Sequence, residues 1–273
     1  MPFASPLESV HLQAPSLNKE QAGVITMKSL TRRSLIAGTV GAGLALPSWA
    51  HAIEGCGNQP NTAPALQPPL LLTDWAWLGH FREENEKLIA SGTKVDAVFL
   101  GDSITEGWVR TDPDFFAQGN VGRGISAQTT PQMLVRMHAD VVALKPRVVH
   151  IMAGTNDIAH NTGPMTPQDT KNNLMAMCEI ARAHGIRIVL GAVPPASKYW
   201  WRPEVQPKAA AVALNEWIRG YADGIGAVFA DYAAVLTDEQ GDVKRNLAKD
   251  EVHPSPEGYA AMRAIAEAAI RDV

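Results

Sequence analysis

From residue 95 to its end the chain alternates short β-branched apolar runs with longer amphipathic stretches. This alternation constrains the fold more than any other feature. Apolar runs at 95–100, 148–152, 186–192 and 227–230 read as buried strands, with a weaker run near 115–121. Helical periodicity marks 75–90, 130–144, 167–184, 207–222 and 256–270. Three of these helices start at a proline, which a first helical turn tolerates. Strands that are apolar throughout and separated by helices imply a parallel sheet covered on both faces. The expected fold class is α/β, a three-layer sandwich with no internal repeat.

Such sheets bind ligands where the carboxyl ends of the strands gather. Four turns should meet there: Gly101-Asp102-Ser103, Val121-Gly122-Arg123-Gly124, Gly154-Thr155-Asn156-Asp157, and the loop beyond Pro194-Pro195.

The first 52 residues read as a signal region. Thr31-Arg32-Arg33-Ser34-Leu35 precedes an uncharged stretch at 36–46, and Ala50-His51-Ala52 follows. A positive region, a short apolar core and an Ala-x-Ala end form a secretory signal. The paired arginines give it twin-arginine character, with Met27 as the expected true start. The expectation is export to the periplasm or beyond. Residues 53–72, rich in Pro, Ala and Asn, read as a linker, and 73–273 as the folded domain.

Removal of residues 1–52 leaves 20 basic and 26 acidic residues. That balance argues against nucleic acid, whose binding relies on clustered cations. No later run is long and apolar enough for a membrane helix. Cys56 lies in a Gly-Cys-Gly turn and Cys178 in a helical run. Two cysteines so placed suggest neither a disulfide framework nor a cysteine metal site, and whether they pair is open. No cofactor or metal is expected.

A serine just past a strand can be a nucleophile, and it can equally be a helix cap. A nucleophilic hydroxyl needs a base, an acid to orient the base, and donors for the oxyanion. Among eight histidines, His11 and His51 fall in the signal region. His80, His138 and His184 sit in helical patterns, His150 lies inside a strand, and His160 occupies a loop. His253 follows Asp250-Glu251-Val252 and precedes Pro254 on an irregular segment before the last helix. Asp250 is three residues away, close enough to reach the imidazole in a turn. Gly124 can offer an unshielded N–H, and Asn156 a side-chain amide. Each turn alone is equally well explained by capping or turn chemistry.

Their order is more specific. Gly101-Asp102-Ser103-Ile104-Thr105 resembles the first block of the SGNH hydrolases, also called GDSL esterases. Gly122-Arg123-Gly124-Ile125-Ser126 is similar to the glycine block. Gly154-Thr155-Asn156-Asp157 is similar to the asparagine block, and Asp250-Glu251-Val252-His253 to the last block. The resemblance runs from about residue 96 to the end. It implies Ser103 as nucleophile, His253 as base and Asp250 as its orienting acid. It implies oxyanion donors from the Ser103 N–H, the Gly124 N–H and the Asn156 side chain. It also implies a five-stranded parallel sheet with flavodoxin-like strand order. One departure is Ala127, where many relatives carry a second glycine.

The expected reaction is hydrolysis of a carboxylic ester, with short acyl groups such as acetyl on a carbohydrate or small molecule. A lysophospholipase or thioesterase of the same family is the alternative, and a non-catalytic carbohydrate-binding protein the alternative from another class. Gly122-x-Gly124-x-x-Ala127 also matches a dinucleotide fingerprint, but it follows the poorest strand and lacks the later acidic residue. The Gly-x-Ser-x-Gly elbow of α/β-hydrolases is absent around Ser103. Trp108, soon after Ser103, and the loop residues Tyr199, Trp200 and Trp201 are the expected substrate contacts. The oligomeric state is not legible.

Overall fold

The structure is a computed structural model that describes residues 73–273. The signal and linker readings, and Cys56, lie outside the described residues. Five strands form the sheet: β1 (Ala97–Gly101), β2 (Asn120–Gly124), β3 (Val148–Met152), β4 (Arg187–Gly191) and β5 (Val228–Ala230). All pairings are parallel, in the order β2-β1-β3-β4-β5. The long helices are α1 (Arg82–Ser91), α2 (Ser103–Thr111), α4 (Thr130–Asp140), α6 (Pro167–Ala183), α7 (Pro207–Ile225) and α9 (Pro256–Arg271). Short ones are α3 (Pro113–Phe116), α5 (Thr155–Ile158) and α8 (Tyr232–Leu236).

The period-two alternation of the strands divides the interior into two cores. Val98, Leu100, Val149, Ile151, Ile188 and Leu190 point to one face, against Met133, Met137, Leu174, Met177, Leu214 and Ile218 of α4, α6 and α7. Ala97, Phe99, Val148, Met152 and Val189 point to the other, against Trp108, Phe115, Tyr232, Tyr259 and Met262. Both faces are covered, which is why the strands read as continuous apolar runs.

Three boundaries differ most from the sequence reading. Helix α1 begins at Arg82, and the turns before it hang on Asp74, whose carboxylate accepts the N–H groups of Leu78 and Gly79 at 2.8 Å each. The weak strand shifts to Asn120–Gly124, because Asp112 and Pro113 start a helical turn that takes Phe115 and Phe116. The helix expected at 130–144 ends at Asp140 and continues as a 3₁₀ turn over Val142–Leu144.

The chain leaves β1 for β2 on one side and returns to β3 on the other, so the strand order reverses beside β1. The carboxyl ends of β1 and β3 flank this switch point, where open α/β sheets hold ligands. One residue separates β1 from helix α2, and two separate β3 from α5. Among the described residues no helix is long and apolar enough to cross a membrane.

Candidate active site

Ser103 is the first residue of α2, and its position follows from two local devices. A Cβ on Gly101 would stand 2.1 Å from Thr105 Oγ1, so only glycine allows the strand to turn this tightly into the helix. Asp102 then caps the helix by accepting the Ile104 N–H at 2.9 Å. Ser103 is left half-buried at the rim.

His253 lies on the segment before α9. That segment is pinned by an isolated bridge between Ala248 and Pro254 and by Lys249 N–H to the His253 carbonyl at 2.8 Å. Val252 is driven into the core, which turns its neighbour His253 outward to the rim. The ring Nε2 stands 3.0 Å from Ser103 Oγ. Nδ1 stands 2.9 Å from Asp250 Oδ2 and 3.1 Å from Oδ1. Asp250 Oδ1 also accepts the N–H groups of Val252 and His253, each at 2.8 Å. Partial burial works against ionisation, but these hydrogen bonds and the neighbouring imidazole prevail, holding the Asp250 carboxyl below the usual range. Serine, histidine and aspartate thus form one hydrogen-bonded line with the composition of a nucleophile–base–acid set.

Asn156 sits in the first turn of α5, buried, and its Nδ2 donates to Asp102 Oδ2 at 3.1 Å and to the Gln128 carbonyl at 3.0 Å. Asp102 is fully buried, and burial raises its carboxyl to about 6 against the opposing Ile104 N–H and the nearby His253. The following residue, Asp157, ties α5 to α4 by accepting the Thr130 N–H at 3.0 Å and the Thr130 hydroxyl. Burial raises its carboxyl as well, partly offset by the hydrogen bonds from Thr130.

A cavity of about 570 Å³ opens over Ser103, His253 and Asn156, walled by Ala127, Gln128, Asn161, Trp77, Trp200 and Trp201. Gly124 is absent from its lining. Gly124 is buried against the start of α2, where a Cβ would lie 2.2 Å from the Glu106 nitrogen and 2.7 Å from the Asp102 carbonyl. Its glycine serves that close approach, and it borders a different cavity with Glu106, Val109 and Arg123. The structure therefore does not bring the expected Gly124 donor to this cavity; the residue of that segment that faces it is Ala127. Ala127 faces the cavity, has a φ of +64°, and its N–H makes no hydrogen bond. The left-handed backbone accounts for glycine being the easier residue there.

Two of the expected aromatic contacts are also corrected. Trp108 is wholly buried, stacked on Phe115 and Tyr259 at ring distances of 5.5 and 5.8 Å. The periodicity of α2 turns it onto the sheet and away from the rim. Tyr199 is buried behind Trp201 at 5.0 Å, and burial pushes its hydroxyl pKa upward. Trp200 and Trp201 do line the cavity; Trp200 is 69% exposed, and the Trp201 indole donates to Asn161 Oδ1 at 2.9 Å. Trp77, missed because 75–90 read as one helix, joins them from a turn with φ +54°. His150, inside β3 as the sequence reading placed it, is fully buried and bonded to the Tyr232 hydroxyl at 2.8 Å. Cys178 is buried in the other core. Among the described residues no cluster of His, Cys, Asp or Glu is arranged to hold a metal ion.

Comparison with known proteins places this geometry in a class. The model of the GDSL-like lipase/acylhydrolase family matches residues 99–261, more than half of the chain. The crystal structure of a GDSL-like lipase from Bacteroides thetaiotaomicron is 38% identical, covers 73% of this chain and 99% of its own, and superposes with a TM-score of 0.68. Esterase TesA of Pseudomonas aeruginosa is 26% identical over 179 residues, 62% of this chain and 80% of its own. A lipoprotein of Bacillus subtilis, YqeF, is 34% identical over 113 residues, and the match spans 35% of this chain and 46% of YqeF. The chain belongs to the GDSL-like lipase/acylhydrolase family, a family of carboxylic ester hydrolases.

Proposed function

We propose that the chain is an exported serine esterase that removes short acyl groups, acetyl foremost, from a carbohydrate or small alcohol. The observation that carries this reading is the line from Ser103 Oγ through His253 to Asp250, with spacings of 3.0 and 2.9 Å, opening into a tryptophan-walled cavity.

Ser103 attacks the acyl carbon as His253 Nε2 takes its proton, and Asp250 steadies the imidazolium through Nδ1. The oxyanion is received by the Ser103 N–H at the helix start, the Ala127 N–H and Asn156 Nδ2. In the free site both Asn156 amide hydrogens point at acceptors, Asp102 and the Gln128 carbonyl. A charged oxyanion is a stronger acceptor than a neutral carbonyl, so it draws one hydrogen from Gln128. His253 next protonates the departing alcohol, and water, activated by the same imidazole, releases the acyl group.

Trp77, Trp200 and Trp201 offer flat faces to a sugar or aromatic alcohol. A longer acyl chain, as in a lysophospholipid or thioester, is the second reading. It is favoured by a separate apolar cavity of about 290 Å³, lined by Ile158, Met165, Val205 and Leu214 among others. Export follows from the signal-like residues 31–52, and the relative YqeF carries the name lipoprotein.

The test is hydrolysis of p-nitrophenyl acetate against p-nitrophenyl octanoate and acetylated oligosaccharides, by the native chain and by Ser103→Ala. Turnover of the acetyl esters that vanishes in folded Ser103→Ala supports the reading. Preference for octanoate would move it to the second. Oligosaccharide binding without any turnover would leave a binding protein instead.

A further inference from the structure

Asn156 is the middle member of a chain of hydrogen bonds whose two ends remove all freedom of orientation. At one end the Trp201 indole N–H donates to Asn161 Oδ1 at 2.9 Å. Asn161 Nδ2 then donates to Asn156 Oδ1 at 2.6 Å, and more weakly to the Ala127 carbonyl at 3.4 Å. At the other end Asn156 Nδ2 meets the Gln128 carbonyl and Asp102 Oδ2.

An indole N–H only donates, and a main-chain carbonyl only accepts. Each asparagine amide between them therefore has a single satisfied orientation. Reversing Asn161 would set its N–H₂ against the indole N–H and its oxygen against Asn156 Oδ1. Reversing Asn156 would turn its oxygen toward the Gln128 carbonyl and leave no donor over Ser103. Asn161 lies five residues beyond Asn156 on the same turn, and it also touches the turn that carries the Ala127 N–H.

We infer that Asn161 is a positioning residue for ester hydrolysis, locking the Asn156 amide with its nitrogen toward the acyl oxygen, and that Trp201 extends this lock into the aromatic wall of the substrate cavity. The inference rests on the reading of Asn156 as an oxyanion donor. It makes the aromatic wall and the donor set one unit, so that loosening the wall costs turnover as well as binding. No group needs to move; a misdirected amide is enough to lose the donor.

The test is steady-state hydrolysis of p-nitrophenyl acetate by Asn161→Ala, Asn161→Asp and Trp201→Phe, with melting temperatures in parallel. Asn161→Ala also goes into an Asn156→Ala background. Asn161→Ala is expected to lower kcat about 10- to 100-fold with KM nearly unchanged. Asn161→Asp, the same shape with acceptors only, should lose at least as much. Trp201→Phe keeps a smaller aromatic ring in the wall while removing the N–H, and should lower kcat about 2- to 10-fold. Asn156→Ala should cost about 10²- to 10³-fold, and in that background Asn161→Ala should add little, because the 2.6 Å bond it removes has lost its partner.

Wild-type kcat in Asn161→Ala, a loss confined to KM, or the same loss repeated in full on Asn156→Ala would each overturn the inference. An Asn156→Ala enzyme with wild-type kcat would instead overturn the oxyanion reading itself, and this inference with it.

Discussion

Asp250 grips His253 twice, through the main-chain N–H at 2.8 Å and through ring Nδ1 at 2.9 Å. The double grip fixes both where the ring stands and which nitrogen carries the proton. With hydrogen on Nδ1, Nε2 is free to accept from Ser103. Asp250→Asn keeps an oxygen for the main chain but can present N–H₂ to the ring, which favours the wrong tautomer. It is expected to lower kcat by about 10²- to 10⁴-fold with little change in fold. Hydrolysis of p-nitrophenyl acetate at pH 8, with circular dichroism as control, checks this; activity within a few-fold of wild type would remove Asp250 from the mechanism.

Ala127 holds its left-handed backbone at a cost that glycine would not meet. Ala127→Gly relieves the strain but adds freedom to the unfolded chain, so stability is expected to hold or rise by up to about 1 kcal/mol. The Ala127 N–H survives, and kcat should stay within a few-fold. A β-branched side chain resists the same backbone more strongly, so Ala127→Val should lose both stability and kcat. Urea unfolding beside kinetics separates the two effects. Ala127→Val with unchanged kcat would place the turn outside the oxyanion site.

Much of this arrangement was legible in the chain before its structure. The strand–helix alternation carried the parallel sheet, because strands buried on both faces leave an unmistakable apolar run. Ser103, Asp250 and His253 were singled out by the order of four turns and the family resemblance that order carries, since each turn alone is explained as well by capping; the structure brings the three within hydrogen-bonding reach of one another. The proposed donor at Ala127 was marked in the sequence only as a departure, where many relatives carry a second glycine, since a left-handed alanine looks like any other alanine in sequence. Glycine drew attention to Gly124, whose missing side chain answers a packing need. Trp108 misled in the same way, as nearness along the chain says nothing about which side of α2 faces the rim. Asn161 left one signal: a second asparagine in the Gly- and Thr-rich loop that already held Asn156.

The contrast between Trp108 and Trp200 yields a paired outcome. Trp108 is fully buried among Phe99, Phe115, Tyr232 and Tyr259. Trp108→Ala leaves a large cavity and is expected to cost about 3–5 kcal/mol of stability. Trp200 is largely exposed at the cavity mouth, so Trp200→Ala should leave the melting temperature unchanged. If it stacks on the alcohol part of the substrate, its loss is worth about 0.5–1.5 kcal/mol, or about 2- to 10-fold in KM. Acetylated oligosaccharides with p-nitrophenyl acetate as reference provide the measurement. An unchanged KM for every ester would take Trp200 out of substrate recognition.

His150 makes the fold sensitive to acid independently of catalysis. Burial lowers its pKa from 6.5 to about 3, so the ring is neutral in the folded protein at ordinary pH. Between those two values the unfolded chain binds a proton that the folded one does not. Stability is therefore intact above about pH 6.5 and is lost progressively as pH falls toward 3, by about 1.4 kcal/mol per pH unit. Asp102 acts in the opposite sense. Its carboxyl is raised from 3.8 to about 6, so the fold holds the extra proton and gains stability as pH falls through that interval. Wild-type acid sensitivity is thus a difference of two effects, and a variant is needed to isolate one. His150→Gln stays neutral and can still bond the Tyr232 hydroxyl. Whatever its stability at pH 7, its loss between pH 7 and 4.5 is expected to be smaller than wild type by about 2–3 kcal/mol. Urea unfolding at the two pH values reads this directly, and equal losses in the two proteins would mean that the buried ring is protonated in the fold.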